Sequence, residues 1–277
     1  MGPIDFGGQV VLVTGAGRGL GEAYARTFAE RGADVVLHDA GVDADGRGGD
    51  SEVARAAAER IVASGGRASA VDGDLRDREV CERLVSSAIE EHGRLDVLVH
   101  NAGVVLWEDE RAPEDDIWAH TMAVTLDAPF ALVRAALPHM RDRGSGRIVL
   151  TTSGRATSVA SSRPGLVAYS AAKLGVVGLM NGFAAGLADV DVEINAISPV
   201  AATRVLRRDA PELTTAAVAP GVLLLASDRV TTSGAVLAAM GGGFALEGWQ
   251  EGPLVDLGGT PSPDEVLDRF PELRGGD

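Results

Sequence analysis

Short apolar runs recur along the chain at 9–14, 34–38, 67–71, 97–100, 147–152, 193–198 and 235–240. Rich in β-branched and small residues, they are too short for helices, and most are apolar throughout, the mark of strands covered on both faces. Between them, apolar residues fall at three- and four-residue spacing over 22–31, 51–64, 76–92, 115–143, the stretch opening near 169, and 215–226. That period predicts helices. Pro129 and Pro138 fall inside the fourth of these and predict a start or a bend. Strand and helix alternate with no linker-like break, which predicts a single α/β domain: a doubly wound, mostly parallel sheet with helices on both faces. Residues 41–50, rich in glycine and aspartate, read as an exposed insertion. The domain is assigned residues 1–257, and 258–277 form its polar tail, with a short helix at 263–270.

Composition narrows the function. In 277 residues, 45% apolar, one large core is expected. No apolar run has membrane-spanning length and no leader pattern opens the chain, so a soluble, cytoplasmic protein with no membrane partner is expected. A lone cysteine, Cys81, cannot form an internal disulfide, and the five histidines lack ligand spacing, so no metal is expected. A net charge of -15 argues against nucleic acid.

The first predicted strand runs into Gly15-Ala16-Gly17-Arg18-Gly19-Leu20-Gly21 and then a helix. Glycines accept positive φ and let a pyrophosphate approach backbone N–H groups at the positive helix end. Gly15, Arg18, Gly19, Leu20 and Gly21 are therefore candidates for holding a dinucleotide. Asp39 closes the second strand, where a carboxylate accepts from both ribose hydroxyls of NAD and repels the 2′-phosphate of NADP. Arg18 pulls the other way, so NAD is expected, with NADP the lesser alternative. The fourth strand delivers Asn101-Ala102-Gly103, small enough for a cofactor to lie against backbone.

Tyr169 and Lys173 stand four apart in a run of helix formers, so phenol and ammonium share a face. A nearby cation favours phenolate, and lowering a phenol by about three pH units takes roughly 4 kcal/mol against the opposing effect of burial. Lys173 is the only lysine in the sequence. Ser153 follows the strand at 147–152, at the sheet end where ligands bind, and could bond a substrate carbonyl.

Together, Thr14-Gly15-x-x-x-Gly19-x-Gly21, Asp74, Asn101-Ala102-Gly103, Ser153 and Tyr169-x-x-x-Lys173 resemble the short-chain dehydrogenase/reductase family over residues 6–243. The resemblance implies a Rossmann-type fold and NAD(P)-linked hydride transfer between an alcohol and a carbonyl. It implies Tyr169 as general acid/base, Lys173 tuning it and holding the nicotinamide ribose, and Ser153 polarising the carbonyl. Asp74, Leu75 and Pro199 join the cofactor contacts. A homodimer or homotetramer through the helices starting near Leu126 and Tyr169 is implied too. Within the family, Gly17 to Tyr24, the insertion after Asp39, and Tyr169-Ser170-Ala171-Ala172-Lys173-Leu174-Gly175 are most similar to the (3R)-hydroxyacyl-CoA dehydrogenase part of peroxisomal-type multifunctional enzymes.

Three departures stand out. Thr125 replaces an asparagine that bends its helix and holds a proton-relaying water; its hydroxyl could hold a water, and slower chemistry is expected. The Ser153 to Tyr169 spacing is about three residues longer than usual, so 157–162 should bulge beside the substrate. Pro199 is followed by Val200 instead of glycine, which puts a tight turn in doubt. The lead substrate is a secondary alcohol or ketone, a 3-hydroxyacyl thioester by resemblance, with Arg155 or Arg204 near CoA phosphates. Two alternatives stay open: reduction of another ketone (carrier-protein-bound 3-oxoacyl, polyketide or sterol), or a catalytically silent dinucleotide-binding scaffold.

Overall fold

The computed structural model describes residues 2–203, 210–248 and 251–273. Two compact units divide the chain, Met1–Leu246 and Glu247–Asp277. In chain order, β1 (Val10–Thr14), α1 (Gly19–Glu30), β2 (Asp34–His38), α2 (Glu52–Ala63), β3 (Arg67–Val71), α3 (Arg78–His92) and β4 (Val97–His100) make the first half. There follow α4 (Asp115–Met122), α5 (Ala128–Arg143), β5 (Ser145–Thr151), α6 (Val167–Ala184), β6 (Asp191–Val200), α7 (Ala219–Leu225), β7 (Val236–Met240) and β8 (Gly243–Glu247). The strands form one sheet of order β3-β2-β1-β4-β5-β6-β7-β8, with parallel pairing from β3 through β7. No helix among the described residues is long and apolar enough to cross a membrane.

Alternation along each strand explains why the apolar runs are unbroken. Val11, Val13, Val35, Leu37, Val97 and Val99 pack with Phe28, Ile61 and Val222 of α1, α2 and α7. Their neighbours Val10, Leu12, Val36, Leu98, Ile148 and Leu150 pack with Leu84, Leu132 and Met180 of α3, α5 and α6. Both faces of the central strands are covered, so β1, β4 and β5 are buried almost throughout, while the edge strands β3 and β8 are partly exposed. The strand order reverses between β1 and β4, and in such sheets ligands bind outside the C-terminal ends of the strands on either side.

Two details go beyond the sequence expectation, an eighth strand and a π segment. An eighth strand follows β7: Gly241 and Gly242, at φ 55° and 84°, make a two-residue turn, and such a connection returns the chain antiparallel. The helical run at 115–143 has Pro129 in the first turn of α5, as expected of a start, and Pro138 inside that helix. The run widens into a π segment, Ala123–Asp127, in which the Ala128 N–H reaches back five residues to the Ala123 carbonyl. Pro129 has no N–H to offer the Thr125 carbonyl in α register, which favours that wider turn. The insertion at 41–50 is exposed over most of its length, as expected, and its own hydrogen bonds hold it. The Asp43 carboxylate accepts from the Asp45 and Arg47 N–H groups, each at 2.9 Å. At the tip, a Cβ on Gly46 would stand 2.8 Å from the His120 ring.

Within the second unit, α8 (Pro263–Leu273) runs three residues past the expected end. Its start is a capping box: the Ser262 hydroxyl accepts from the Glu265 N–H at 3.3 Å, and Glu265 Oε2 accepts from the Ser262 N–H at 2.7 Å.

Candidate active site

The glycine turn between β1 and α1 is shaped by close approach. A Cβ on Gly21 would lie 2.1 Å from the Gly15 carbonyl oxygen, and one on Gly15, at φ +64°, 2.9 Å from Ala102 Cα. The Asn101 side chain braces the turn, donating to the Thr14 and Gly15 carbonyls at 3.1 Å each. Helix α1 starts at Gly19 without a side-chain cap on Arg18, so its first N–H groups remain available to an anion. Asp39 faces this turn from the end of β2: its carboxylate accepts from the Gly17 N–H at 2.9 Å and the Gly41 N–H at 2.8 Å. A cleft of about 290 Å³ lies alongside, bordered by Gly17, Arg18, Asp50, Glu52 and Arg60. These features fit a dinucleotide: a cradle that a side chain would fill, an uncapped helix start, and a carboxylate at a strand end.

Other expected cofactor residues divide. Gly103 keeps space open beside the lysine, since a Cβ there would be 3.4 Å from Lys173 Nζ and 3.8 Å from Thr125 Oγ1. Leu75 is buried, its carbonyl accepting from Cys81 Sγ. Asp74 is held by Arg76, whose Nε donates to it at 2.8 Å, and this guanidinium keeps the Asp74 carboxyl below its ordinary value. Pro199 sits inside β6, opposite Ala239, and the strand runs on through Val200 instead of turning. Arg204 lies outside the described residues, as does most of the substrate-side loop around it.

Ser153, Tyr169 and Lys173 come together where β5 ends and α6 begins. Ser153 leaves β5 in extended conformation and caps a 3-10 turn, Gly154–Ala156, accepting from the Arg155 N–H at 3.3 Å. Its hydroxyl lies close enough to the Tyr169 phenol to favour phenolate. One turn along α6, Lys173 is 4% exposed and its Nζ donates to the Thr151 carbonyl at 2.7 Å, 5.9 Å from the Tyr169 ring centroid. Burial pushes the ammonium down from 10.5 to about 8.

The phenol departs from expectation. Burial raises Tyr169 above its ordinary value, and the Ser153 hydroxyl and Arg155 guanidinium pull it back without overcoming that effect. With its ammonium committed to the Thr151 carbonyl, Lys173 does not bring the phenol towards neutrality in this arrangement. The loop at 157–162 folds back on the turn after Ser153, with Ser161 Oγ donating to the Gly154 carbonyl at 2.6 Å and Val159 exposed at its tip.

Two residues missed in the sequence belong to the surroundings of this site. His100 is fully buried at the end of β4, its Nδ1 3.0 Å from Thr14 Oγ1. That oxygen also accepts from the Asn101 and Ala102 N–H groups. The threonine proton is therefore left for Nδ1, so the histidine carries its own on Nε2. Burial and the Lys173 charge hold His100 down at about 3, a neutral ring. Its place directly before Asn101 was a signal that could have been used. The second is Glu108, whose contacts are purely tertiary. Thr125 sits in the π segment with its hydroxyl buried and without a partner among the described residues.

Over residues 9–212 the sequence matches the short chain dehydrogenase family. The chain belongs to that family. It is thus an oxidoreductase of a group that binds NAD(P), consistent with alcohol and ketone interconversion. The peroxisomal multifunctional enzyme type 2 of Mus musculus is 36% identical over 279 residues, which cover 98% of this chain and 37% of that enzyme. This short-chain dehydrogenase therefore spans little more than a third of the mouse enzyme's length. A short chain dehydrogenase from Mycobacterium avium has a TM-score of 0.84 and 34% identity, covering 97% of this chain and 95% of that one. Full-length peroxisomal multifunctional enzyme type 2 from Drosophila melanogaster has a TM-score of 0.81 and 26% identity, covering 98% of this chain and 46% of that one.

Proposed function

We propose that this chain interconverts a secondary alcohol and a ketone by hydride transfer, with NAD as the preferred cofactor and a 3-hydroxyacyl thioester as the lead substrate class. The observation that carries the reading is the meeting of the Ser153 hydroxyl and Tyr169 phenol, with Lys173 one turn along α6. Ser153 binds and polarises the substrate oxygen. A phenol held above its ordinary value keeps its proton at neutral pH, so Tyr169 donates it to that oxygen in the reduction direction. When bound, the dinucleotide supplies the hydride or accepts it, and its oxidised ring carries a positive charge that favours phenolate. Lys173 holds the nicotinamide ribose, and Gly103 leaves the room for it. Thr125 holds a water near Lys173 for proton exchange.

NAD is favoured because Asp39 stands at the end of β2, and Asp50 and Glu52 add negative charge to the cleft that Arg18 and Arg60 border. The thioester reading rests on the likeness to type 2 multifunctional enzymes. An apolar face on α5 and α6, where Phe130 stacks with Phe183 at 6.1 Å and Leu174 is exposed, supports a homo-oligomer; light scattering would read its mass.

Turnover is tested by following NADH absorbance with acetoacetyl-CoA and a panel of small ketones, in wild type and Tyr169→Phe. The variant should bind NADH normally and lose turnover by about a thousandfold. Normal turnover in Tyr169→Phe would remove the assigned acid. Asp39→Ala should shift preference towards NADPH, and unchanged selectivity would count against its ribose role.

A further inference from the structure

Glu108 lies in the connection between β4 and α4, among exposed neighbours such as Asp109, Glu110 and Arg111, yet it is only 9% exposed. Its carboxylate reaches sixty positions along the chain to the start of α6. There Oε1 accepts from the Ala168 N–H at 2.9 Å. The backbones touch as well: the Glu108 N–H donates to the Gly165 carbonyl at 3.2 Å. Gly165 is at φ +78°, and a Cβ on it would stand 2.8 Å from the Glu108 carbonyl oxygen and 3.3 Å from the Trp107 ring. Helix α6 has no cap of its own at Leu166. A remote carboxylate satisfies its first turn instead, at the residue immediately before Tyr169. The other oxygen, Oε2, is buried without a partner among the described residues.

Burying a carboxylate is unfavourable unless it is compensated, and here the compensation comes from the backbone at the start of the helix that carries Tyr169. We propose that Glu108 is the positioning residue for Tyr169: by capping the first turn of α6 it fixes where the phenol stands against Ser153. The proposal rests on Tyr169 acting as the acid and names what holds it in place. It also makes the β4–α4 connection a structural partner of the catalytic helix, so a change in one is felt by the other. A small displacement of a reacting group costs rate out of proportion to the stability lost.

The test uses Glu108→Ala, Glu108→Gln, Glu108→Asp and Tyr169→Phe in the full chain. Rates are read with NADH and acetoacetyl-CoA, and NADH affinity by fluorescence. A second readout needs no substrate. Tyrosine occurs only at positions 24 and 169, so in a Tyr24→Phe background labelled with 3-fluorotyrosine a single 19F resonance reports Tyr169. Glutamine keeps an acceptor oxygen; alanine has none, and aspartate is too short to reach Ala168.

Glu108→Ala should lower kcat about tenfold or more with NADH affinity unchanged within about twofold, and should broaden or shift the resonance and move its titration towards that of free phenol. Glu108→Gln should stay near the parent in both. If alanine is not folded, the aspartate variant is expected to show the same loss. An alanine variant with parental rate and resonance overturns the proposal while Tyr169→Phe, still inactive, upholds the proposed function. Equal damage in the glutamine and alanine variants, with NADH affinity lost as well, also overturns it. Turnover in Tyr169→Phe removes the proposed function itself. Should acetoacetyl-CoA not be a substrate, the resonance alone decides.

Discussion

Replacing Lys173 with methionine should abolish turnover and yet stabilise the fold. The folded-state ammonium sits near 8 and the unfolded one near 10.5, because burial disfavours the charge. A lysine whose folded value lies below its unfolded one is a full penalty wherever both states are protonated, below about pH 8. The penalty fades between about 8 and 10.5 and is absent above. Its size at neutral pH is about 3 kcal/mol, from 1.36 kcal/mol per pH unit of separation. Methionine fills similar space without a charge, but it orphans the Thr151 carbonyl, which now receives Nζ at 2.7 Å; that offsets about 1 kcal/mol. Cofactor-free Lys173→Met should therefore be about 2 kcal/mol more stable than wild type at about pH 7, and the difference should shrink by about 2 kcal/mol at about pH 9.5. Urea denaturation of both proteins at equal concentration and both pH values measures this. Comparing the two proteins cancels the titrations that do not couple to Lys173; that of His100 does couple. A difference that stays constant across that interval would refute the idea that a buried charge is being carried at a stability cost.

Gly21→Ala should weaken NADH binding at least tenfold, because its Cβ would meet the Gly15 carbonyl at 2.1 Å and force α1 off the turn; fluorescence titration reads it. Tyr24 is fully buried with no partner for its hydroxyl among the described residues, so Tyr24→Phe should be neutral or up to about 1 kcal/mol stabilising in thermal melts. Asp96 accepts from Arg94 at 2.6 Å, from Arg143 at 3.3 Å and from the Val10 N–H at 2.8 Å. Asp96→Ala should cost about 3 kcal/mol in denaturation and leave kcat of the folded enzyme unchanged.

Much of this fold was legible from periodicity because both faces of the sheet are covered. Strands 34–38, 67–71 and 97–100 fall where the apolar runs put them. What escaped was set by contacts that no local pattern carries. Gly21 begins inside α1 because the Gly15 carbonyl occupies the space of a side chain. The apolar runs stop at 240, yet the Gly-Gly turn that follows, flanked by apolar residues, also signals a hairpin to the eighth strand. In the candidate site, the meeting of Ser153 and Tyr169 follows from their places at a strand end and a helix start. The direction of the Tyr169 shift is not legible, because sequence shows which charges are near in register and not how deeply they are buried. Glu108 had no signal at all: a glutamate in a charged loop is ordinarily solvated, and only the approach of Gly165 makes it otherwise.

A chain with one lysine, buried, and no other side-chain amine has a practical corollary. Amine-directed reagents have, apart from the chain's α-amino group, a single place to react. Less of that amine is protonated at neutral pH than of an ordinary lysine, and its burial leaves labelling to depend on access. Reductive alkylation followed by mass spectrometry would thus serve as a site-occupancy gauge, with the extent of labelling at Lys173 falling as a ligand bound at the proposed site covers it.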